Sequence, residues 1–208
     1  MLGWQAMSRR TRALLFVLLT GALVLALPVT ARSVDDLATG KLLVAREGMG
    51  DPNFARTVVL LVSYSDSGAM GVVLNRPSHM RLDHLLPHLD LSAAEHDPVF
   101  FGGPVAIRQA TILSTTDTAL ESQVKVFGKV HASGDLALLE RMVTEPRPGE
   151  KFKVFAGHAG WAPGQLEAEV EGRGWLVMPA VEATVFTESY DGLWETLIRQ
   201  SRDRIAMR

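Results

Sequence analysis

Cysteine and an excess of positive charge are both absent from this chain. It has no cysteine, and its 21 basic residues stand against 23 acidic ones for a net charge of −2. Without thiols it forms no disulfides, thiolate metal sites or cysteine nucleophiles. Because nucleic-acid binding needs a basic surface that displaces counterions, the charge balance argues against such a partner. Hydrophobic residues at 47% and charged residues at 21% exclude a disordered, collagen-like or coiled-coil chain.

The N-terminal segment has the layout of a secretory leader. Residues 1–12 contain three arginines and no acid, and residues 13–27 are apolar apart from one threonine and one glycine. As a helix, this apolar run would span about 22 Å, less than the roughly 30 Å of a bilayer core. We therefore expect a signal peptide that is cleaved after Ala31 and a periplasmic or secreted mature protein. The alternatives are an inner-membrane anchor formed by residues 13–31 and a true start at Met7.

The leader also hides the charge of the mature chain. Its removal lowers the basic count from 21 to 18 against 23 acidic residues, which leaves a net charge of −5. A mildly acidic domain is a still poorer binder of polyanions. We expect no nucleic-acid partner, and membrane contact only through the leader if it stays uncleaved.

The mature part, residues 32–208, contains no linker or repeat and predicts one domain. Strands are predicted where β-branched and apolar residues run together, and helices where apolar residues recur on one face. The predicted strands cover residues 40–45, 57–64, 69–74, 99–101, 110–114, 124–130, 151–156 and 175–178. The predicted helices cover part of residues 82–91, a segment with Ser133 as its N-cap, residues 163–170 and residues 190–205. Strands interspersed with a few helices predict an α+β (mixed α/β) domain.

Several runs of residues resemble one bacterial family. They are Gly40-x-Leu-Leu-Val-Ala45, Asp51-Pro-Asn-Phe54, Gly68-Ala-Met-Gly71, Asn75-Arg-Pro77, Phe101-Gly-Gly-Pro-Val105, Gly160-Trp-x-Pro-Gly-Gln-Leu166 and Trp175-Leu-Val177. In this order they resemble the YqgE/AlgH family over nearly all of the mature chain. The resemblance implies a mixed, barrel-like β-sheet surrounded by helices. It implies no established activity, although one branch of the family is labelled a transcriptional regulator.

The leader is the main departure from that family, whose members are mostly cytoplasmic. A secreted protein cannot act directly on transcription in the cytoplasm, so the regulator label is not expected to apply here. Glu47 stands where the family usually has proline, Ser63-Tyr64 where it often has Glu-His, and His158 where it commonly has an aromatic residue.

Three motif loops that follow predicted strands form a candidate binding surface. Arg76 can bind a carboxylate or phosphate bidentately beside the Asn75 amide. Free N–H groups after the glycine-rich run 157–164 could hold an anion at the start of a helix. The candidate ligand- or partner-binding residues are Asn75, Arg76, Gly102, Gly103, His158, Gly160, Trp161 and Gln165. They predict a small anionic ligand or a periplasmic protein as the partner.

A structural interpretation of the same residues stays open. Arg76 would then pair with an acid such as Asp51, while Asn75 bonds turn backbone. The two adjacent glycines, Gly102 and Gly103, would permit a bend, and the run 157–164 would shape a tight strand-to-helix turn.

Patterns for catalysis and metal binding are weak. His84 and His88 have the spacing of metal ligands on a helix, but Pro87 interrupts that helix. No serine lies in a Gly-x-Ser-x-Gly motif. Three alternating acids are interpreted as solvated: Glu167, Glu169 and Glu171. We expect no catalytic residue, metal or cofactor, and a non-enzymatic ligand- or protein-binding regulatory module; the alternative is a hydrolase or a cofactor-assisted enzyme.

Overall fold

A curled, largely antiparallel sheet is the framework of the protein. The computed structural model describes residues 34–89 and 98–206, so the predicted leader lies outside the described residues. Within them the strands are β1 (Lys41–Ala45), β2 (Val58–Ser65), β3 (Gly68–Val73), β4 (Phe100–Phe101), β5 (Val105–Thr115), β6 (Val124–Phe127), β7 (Val130–Ser133), β8 (Phe152–Trp161) and β9 (Trp175–Pro179). The helices are α1 (Leu136–Thr144), α2 (Gln165–Glu171), α3 (Glu182–Val185) and α4 (Leu193–Ala206), with 3₁₀ turns at Val34–Asp36 and Leu82–His84.

The long strand β8 joins the two halves of the sheet. The strand order is β6-β7-β5-β8-β3-β2-β1-β9, and every pair along it is antiparallel. The short strand β4 runs parallel to β8 beside this path. The fold is thus the predicted mixed α+β fold, with the barrel-like sheet taking the form of a curled half-barrel accompanied by a few helices.

Both faces of the sheet are covered by apolar side chains. Along β1, Leu42 and Val44 pack into one cluster with Trp194 of α4. The alternate residue Leu43 packs into another cluster that contains Trp161. Because successive side chains of a strand point to opposite faces, a strand buried on both faces is apolar, as β1 is after Lys41 and as the start of β2 is.

Glycines let the segment between β4 and β5 pass close over β8, and we call this contact the β8 crossing. Gly157 has φ 71° and Gly103 has φ 150°, both in the region that favours glycine. A Cβ at Gly103 would collide with the backbone of His158. The N–H of Gly102 donates to the carbonyl of Ala156 at 2.8 Å, so the crossing is also hydrogen-bonded. The glycines therefore permit the bend that their sequence predicts.

Three element predictions are wrong in detail. Residues 124–130 form a hairpin rather than one strand, because Gly128 turns the chain with φ 50° between β6 and β7. Ser133 ends β7, and Asp135 is the N-cap of α1, accepting a bond from the N–H of Ala137 at 2.9 Å. Strand β8 also continues through Trp161, so only residues 162–164 connect it to α2.

Among the described helices, none combines the length and the apolarity that crossing a bilayer requires.

Candidate functional site

Asn75 and Arg76 hold a neighbouring loop by its backbone. The Asn75 amide accepts from the N–H of Val58 and donates to the carbonyl of Arg56, both at 2.9 Å. Arg76 donates to the carbonyls of Asn53, Ala55 and Pro52, the last two at 3.2 and 3.4 Å. Burial lowers the pKa of Arg76, and the nearby charge of Asp51 opposes that shift. These two residues therefore clamp residues 51–56, which we call the clamped loop.

The clamped loop contributes to a cleft with an aromatic wall, which we call the aromatic cleft. Its volume is about 370 Å³. It is lined by Met49, Asp51, Phe54, Gly160, Trp161, Gln165, Glu169, Gly172, Gly174 and Trp175. Gly160, Trp161 and Gln165 belong to the surface expected from sequence, so the fold brings three of those eight residues together here.

Glu169 ties the two tryptophans of the aromatic cleft together. Its Oε2 accepts from the indole N–H of Trp161 at 3.0 Å and from that of Trp175 at 2.8 Å. Its Oε1 accepts from the amide of Gln165 at 3.0 Å, one turn earlier on α2. The expectation that Glu169 is merely solvated is wrong, because three side-chain donors surround its carboxylate.

The three rings of the aromatic cleft pack against one another. The Phe54 ring stacks on Trp161 with centroids 6.1 Å apart and meets Trp175 edge-on at 5.6 Å. The tryptophans are 6% and 2% exposed, whereas Phe54 is half-buried. The rings thus form a fixed wall, and Phe54 is the ring with most surface left for a ligand.

The charges of the aromatic cleft are negative. Asp51 and Glu169 are its ionisable lining residues within the described chain. A carboxylate accepts hydrogen bonds and attracts cations, so this cleft suits a ligand with an N–H or O–H donor or a positive charge. Arg76, the cation expected to bind an anion, is engaged with backbone carbonyls on the clamped loop. The anionic ligand stays a prediction, and the aromatic cleft is not suited to it.

The other expected residues lie at the β8 crossing. Gly102 and Gly103 pack against the backbone of residues 157–159. His158 pairs in register with Val105 of β5. None of the three lines the aromatic cleft.

The comparisons with known proteins agree on one family. The sequence model of a family described as AlgH-like matches residues 42–206. The chain belongs to the AlgH-like family. It is 38% identical over 166 residues to a UPF0301 protein of Ruegeria pomeroyi, covering 77% of this chain and 90% of the relative. A UPF0301 protein of Mycobacteroides abscessus is 37% identical over 168 residues, covering 79% and 80%.

Two solved structures share the fold of this AlgH-like chain. The solution structure of the AlgH protein from Pseudomonas aeruginosa has a TM-score of 0.65 and 32% identity, covering 78% of this chain and 88% of that one. The crystal structure of protein DIP2367 from Corynebacterium diphtheriae has a TM-score of 0.67 and 26% identity, covering 79% and 87%. The family and fold expected from the sequence are thereby established.

Sequence reasoning missed seven lining residues of the aromatic cleft. Four of them contribute a ring or a carboxylate: Asp51, Phe54, Glu169 and Trp175. A local signal existed for one of them, because Gln165 and Glu169 are four residues apart on a helix and such pairs bond each other. Trp175 follows the end of α2 by four residues, whereas the clamped loop is far from α2 in sequence, so only the sheet brings that loop to the helix.

Proposed function

We propose that this AlgH-like chain is a non-enzymatic recognition module that binds a ligand or partner protein in the aromatic cleft. After removal of its leader it acts in the periplasm or outside the cell, in a regulatory role. The occupant places an apolar group against Phe54 and a hydrogen-bond donor or positive charge near Asp51.

The observation that carries this proposal is the Glu169 carboxylate, which fixes both tryptophans and Gln165 at once. A concave, largely apolar surface with a few placed polar groups is the usual form of a binding site. Because the wall is already held in place, an occupant does not have to order it, and the entropy cost of binding is reduced.

The position of the clamped loop supports the same proposal. Its residues Asp51 and Phe54 contribute a carboxylate and a ring to the aromatic cleft. Asn75 and Arg76 hold that loop from behind by its backbone. These two residues therefore act as positioning residues, and the motif that resembles a binding loop supports the cleft without lining it.

The test is comparative capture from a periplasmic extract. The full chain is expressed with its leader, purified and immobilised, and retained proteins and small molecules are identified by mass spectrometry. Gln165→Ala and Asp51→Asn alter the aromatic cleft at exposed positions, and the asparagine can still accept the bond from the N–H of Asn53. Gln109→Ala, at an exposed position on β5, is the matched control.

We expect one retained species whose amount falls about fivefold in each cleft variant and is unchanged in the control. A fivefold fall corresponds to the loss of about one ordinary hydrogen bond. Thermal unfolding of all variants must match the wild type. Equal retention by wild type, control and cleft variants would refute the proposal, and so would the absence of any retained species.

A further inference from the structure

Gly160 is a glycine that the fold itself does not require. It lies within β8, where it pairs with Met70 of β3, and it is exposed. Its φ lies outside the left-handed region that favours glycine. A Cβ at this position would lie 3.7 Å from Cγ2 of Val105 and 3.9 Å from the ring of His158, which is ordinary van der Waals contact. Neither conformation nor space therefore excludes a side chain at Gly160.

Other glycines of the sheet differ from Gly160 because close packing explains them. A Cβ at Gly157 would overlap the carbonyl of Gly103, and a Cβ at Gly71 would overlap the carbonyl of Leu60. A glycine within a strand weakens it, and such a glycine often marks a site where a ligand or another backbone approaches closely. No atom of the described residues makes that approach at Gly160. A group from outside the described chain would explain the glycine.

Gly160 also connects the aromatic cleft with side chains outside it. Gly160 lines the cleft, whereas its nearest side-chain neighbours, Val105 and His158, do not. Val105 is 43% exposed and His158 is half-buried. Because Gly160 carries no side chain, the surface is open from the cleft to these two residues.

The charges that line the aromatic cleft favour an occupant with a basic group. Within the described chain, these charges are the carboxylates of Asp51 and Glu169. Three side-chain donors already bond Glu169, whereas Asp51 is exposed and can meet a cation from solution. An exposed ion pair contributes orientation and specificity more than affinity.

We propose that an extended segment of a partner protein occupies the aromatic cleft and crosses Gly160 to contact Val105 and His158. In an extended chain, successive side chains point to opposite sides. The backbone of the segment lies on Gly160, while an apolar side chain packs against Phe54 and a lysine or arginine pairs with Asp51. This inference rests on the function proposed for the aromatic cleft and names the class of its occupant.

The experiment selects a linear peptide and then measures its affinity. A phage-displayed library of short random linear peptides is panned against the purified full chain, and the selected peptide is synthesised with a fluorophore. Fluorescence anisotropy gives its Kd for the wild type, Gly160→Ala, Gly160→Val, Val105→Thr and Gln165→Ala. Gly134→Val is the matched control, because Gly134 is also exposed and a Cβ there would also have its nearest neighbour, the carbonyl of Ala110, at 3.7 Å.

We expect Gly160→Val to bind the peptide at least about tenfold more weakly than the wild type, because its side chain holds the peptide backbone away from β8. Gly160→Ala should lose less affinity. Val105→Thr should lose about threefold, which corresponds to roughly one methyl group. Gln165→Ala should also bind more weakly, and Gly134→Val should be unchanged. The midpoint of thermal unfolding of Gly160→Val should be no lower than that of the wild type, because valine favours strands and glycine does not.

Four results would overturn the inference. If Gly160→Val binds as tightly as the wild type while Gln165→Ala binds more weakly, the occupant stays within the aromatic cleft, and only the proposed function survives. If Gly160→Val unfolds at a lower temperature than the wild type, the glycine serves the fold. If the library yields no peptide that binds, the occupant is not an extended segment, and capture from the extract still tests the proposed function. If neither Gly160→Val nor Gln165→Ala weakens binding, both proposals fail.

Discussion

Several polar side chains of the described residues bond other groups of the protein. Asn75 and Arg76 bond backbone carbonyls of the clamped loop, and Glu169 bonds two indoles. Tyr64 donates to Glu167 at 2.6 Å, and this bond, followed by burial, raises the pKa of Tyr64 to about 12. Each of these residues satisfies donors or acceptors that would otherwise be left unpaired near the core.

Replacing Glu169 with glutamine should destabilise the fold. The new amide would turn an N–H₂ group towards at least one of the donors that now bond the carboxylate. We expect Glu169→Gln to lower the free energy of unfolding by about 1–3 kcal/mol in urea. Glu171→Gln, at an exposed position on the same helix, is the control and should change it by less than about 0.5 kcal/mol. Equal effects of the two substitutions would contradict the role of Glu169.

The bidentate pair of Arg141 and Glu150 should make stability depend on acid pH. Arg141 donates to both carboxylate oxygens at 2.8 and 2.5 Å, and this bonding is the main cause that lowers the pKa of Glu150 from 4.5. A carboxyl whose folded pKa is depressed stabilises the fold above its unfolded pKa and loses that contribution as pH falls through the folded value.

We expect Glu150→Gln to be about 1–3 kcal/mol less stable than wild type at about pH 7. The difference should shrink below about pH 4.5, where the unfolded wild type takes up its proton. Urea unfolding from about pH 3 to 7 measures this difference in the free energy of unfolding. A difference that stays constant over that range would exclude the ion pair as the cause.

At the scale of elements, the β8 crossing depends on a glycine. A Cβ at Gly103 would overlap the backbone of His158, whereas a Cβ at Gly128 has nothing within 4 Å. Alanine can adopt the φ of 50° at Gly128, whereas the φ of 150° at Gly103 is essentially restricted to glycine, so backbone strain adds to the overlap at Gly103. We expect Gly128→Ala to cost about 1 kcal/mol and Gly103→Ala at least about 3 kcal/mol in thermal or urea unfolding. Similar losses for the two would show that the crossing is not tightly packed.

A single residue, Arg76, also holds the clamped loop in place. Without the Arg76 guanidinium, three backbone carbonyls lose their donor. We expect Arg76→Ala to speed hydrogen exchange at the N–H groups of Phe54 and Ala55 about tenfold, with the amides of β2 unchanged. Arg108→Ala is the control. Unchanged exchange in the loop would show that Arg76 does not hold it.

At the scale of the whole molecule, the prediction concerns the leader. We expect the chain, expressed in a Gram-negative host, to be found in the periplasm with Arg32 as its first residue, because residues 13–27 are too short for a stable span. N-terminal sequencing of fractionated cells measures this. Full-length chain in the membrane fraction would support the anchor instead, and full-length chain in the cytoplasm would contradict both. Deletion of residues 13–27 is the control and should abolish export.

The strands were easier to predict than the site. Residues 58–62 are apolar and mostly β-branched and lie in β2 as expected, because a strand buried on both faces needs such residues. The turn at Gly128 was not predicted, because a hairpin turn of two residues hardly interrupts the apolar pattern of the strands on either side. Ser133 and Asp135 are both residue types that favour the N-cap. The N-cap is Asp135 because Ser133 is still part of β7.

The sequence alone determined the family, the α+β class, the acidic charge of residues 32–208 and the exclusion of thiol chemistry, since composition and local motifs carry these properties. Only the tertiary structure decided that Arg76 faces loop carbonyls, that Glu169 joins two indoles, and that Arg46 bonds the carbonyl of Trp175. The reason is sequence separation: Arg46 and Trp175 are 129 residues apart in the chain. They become neighbours because β1 pairs with β9 at the edge of the sheet.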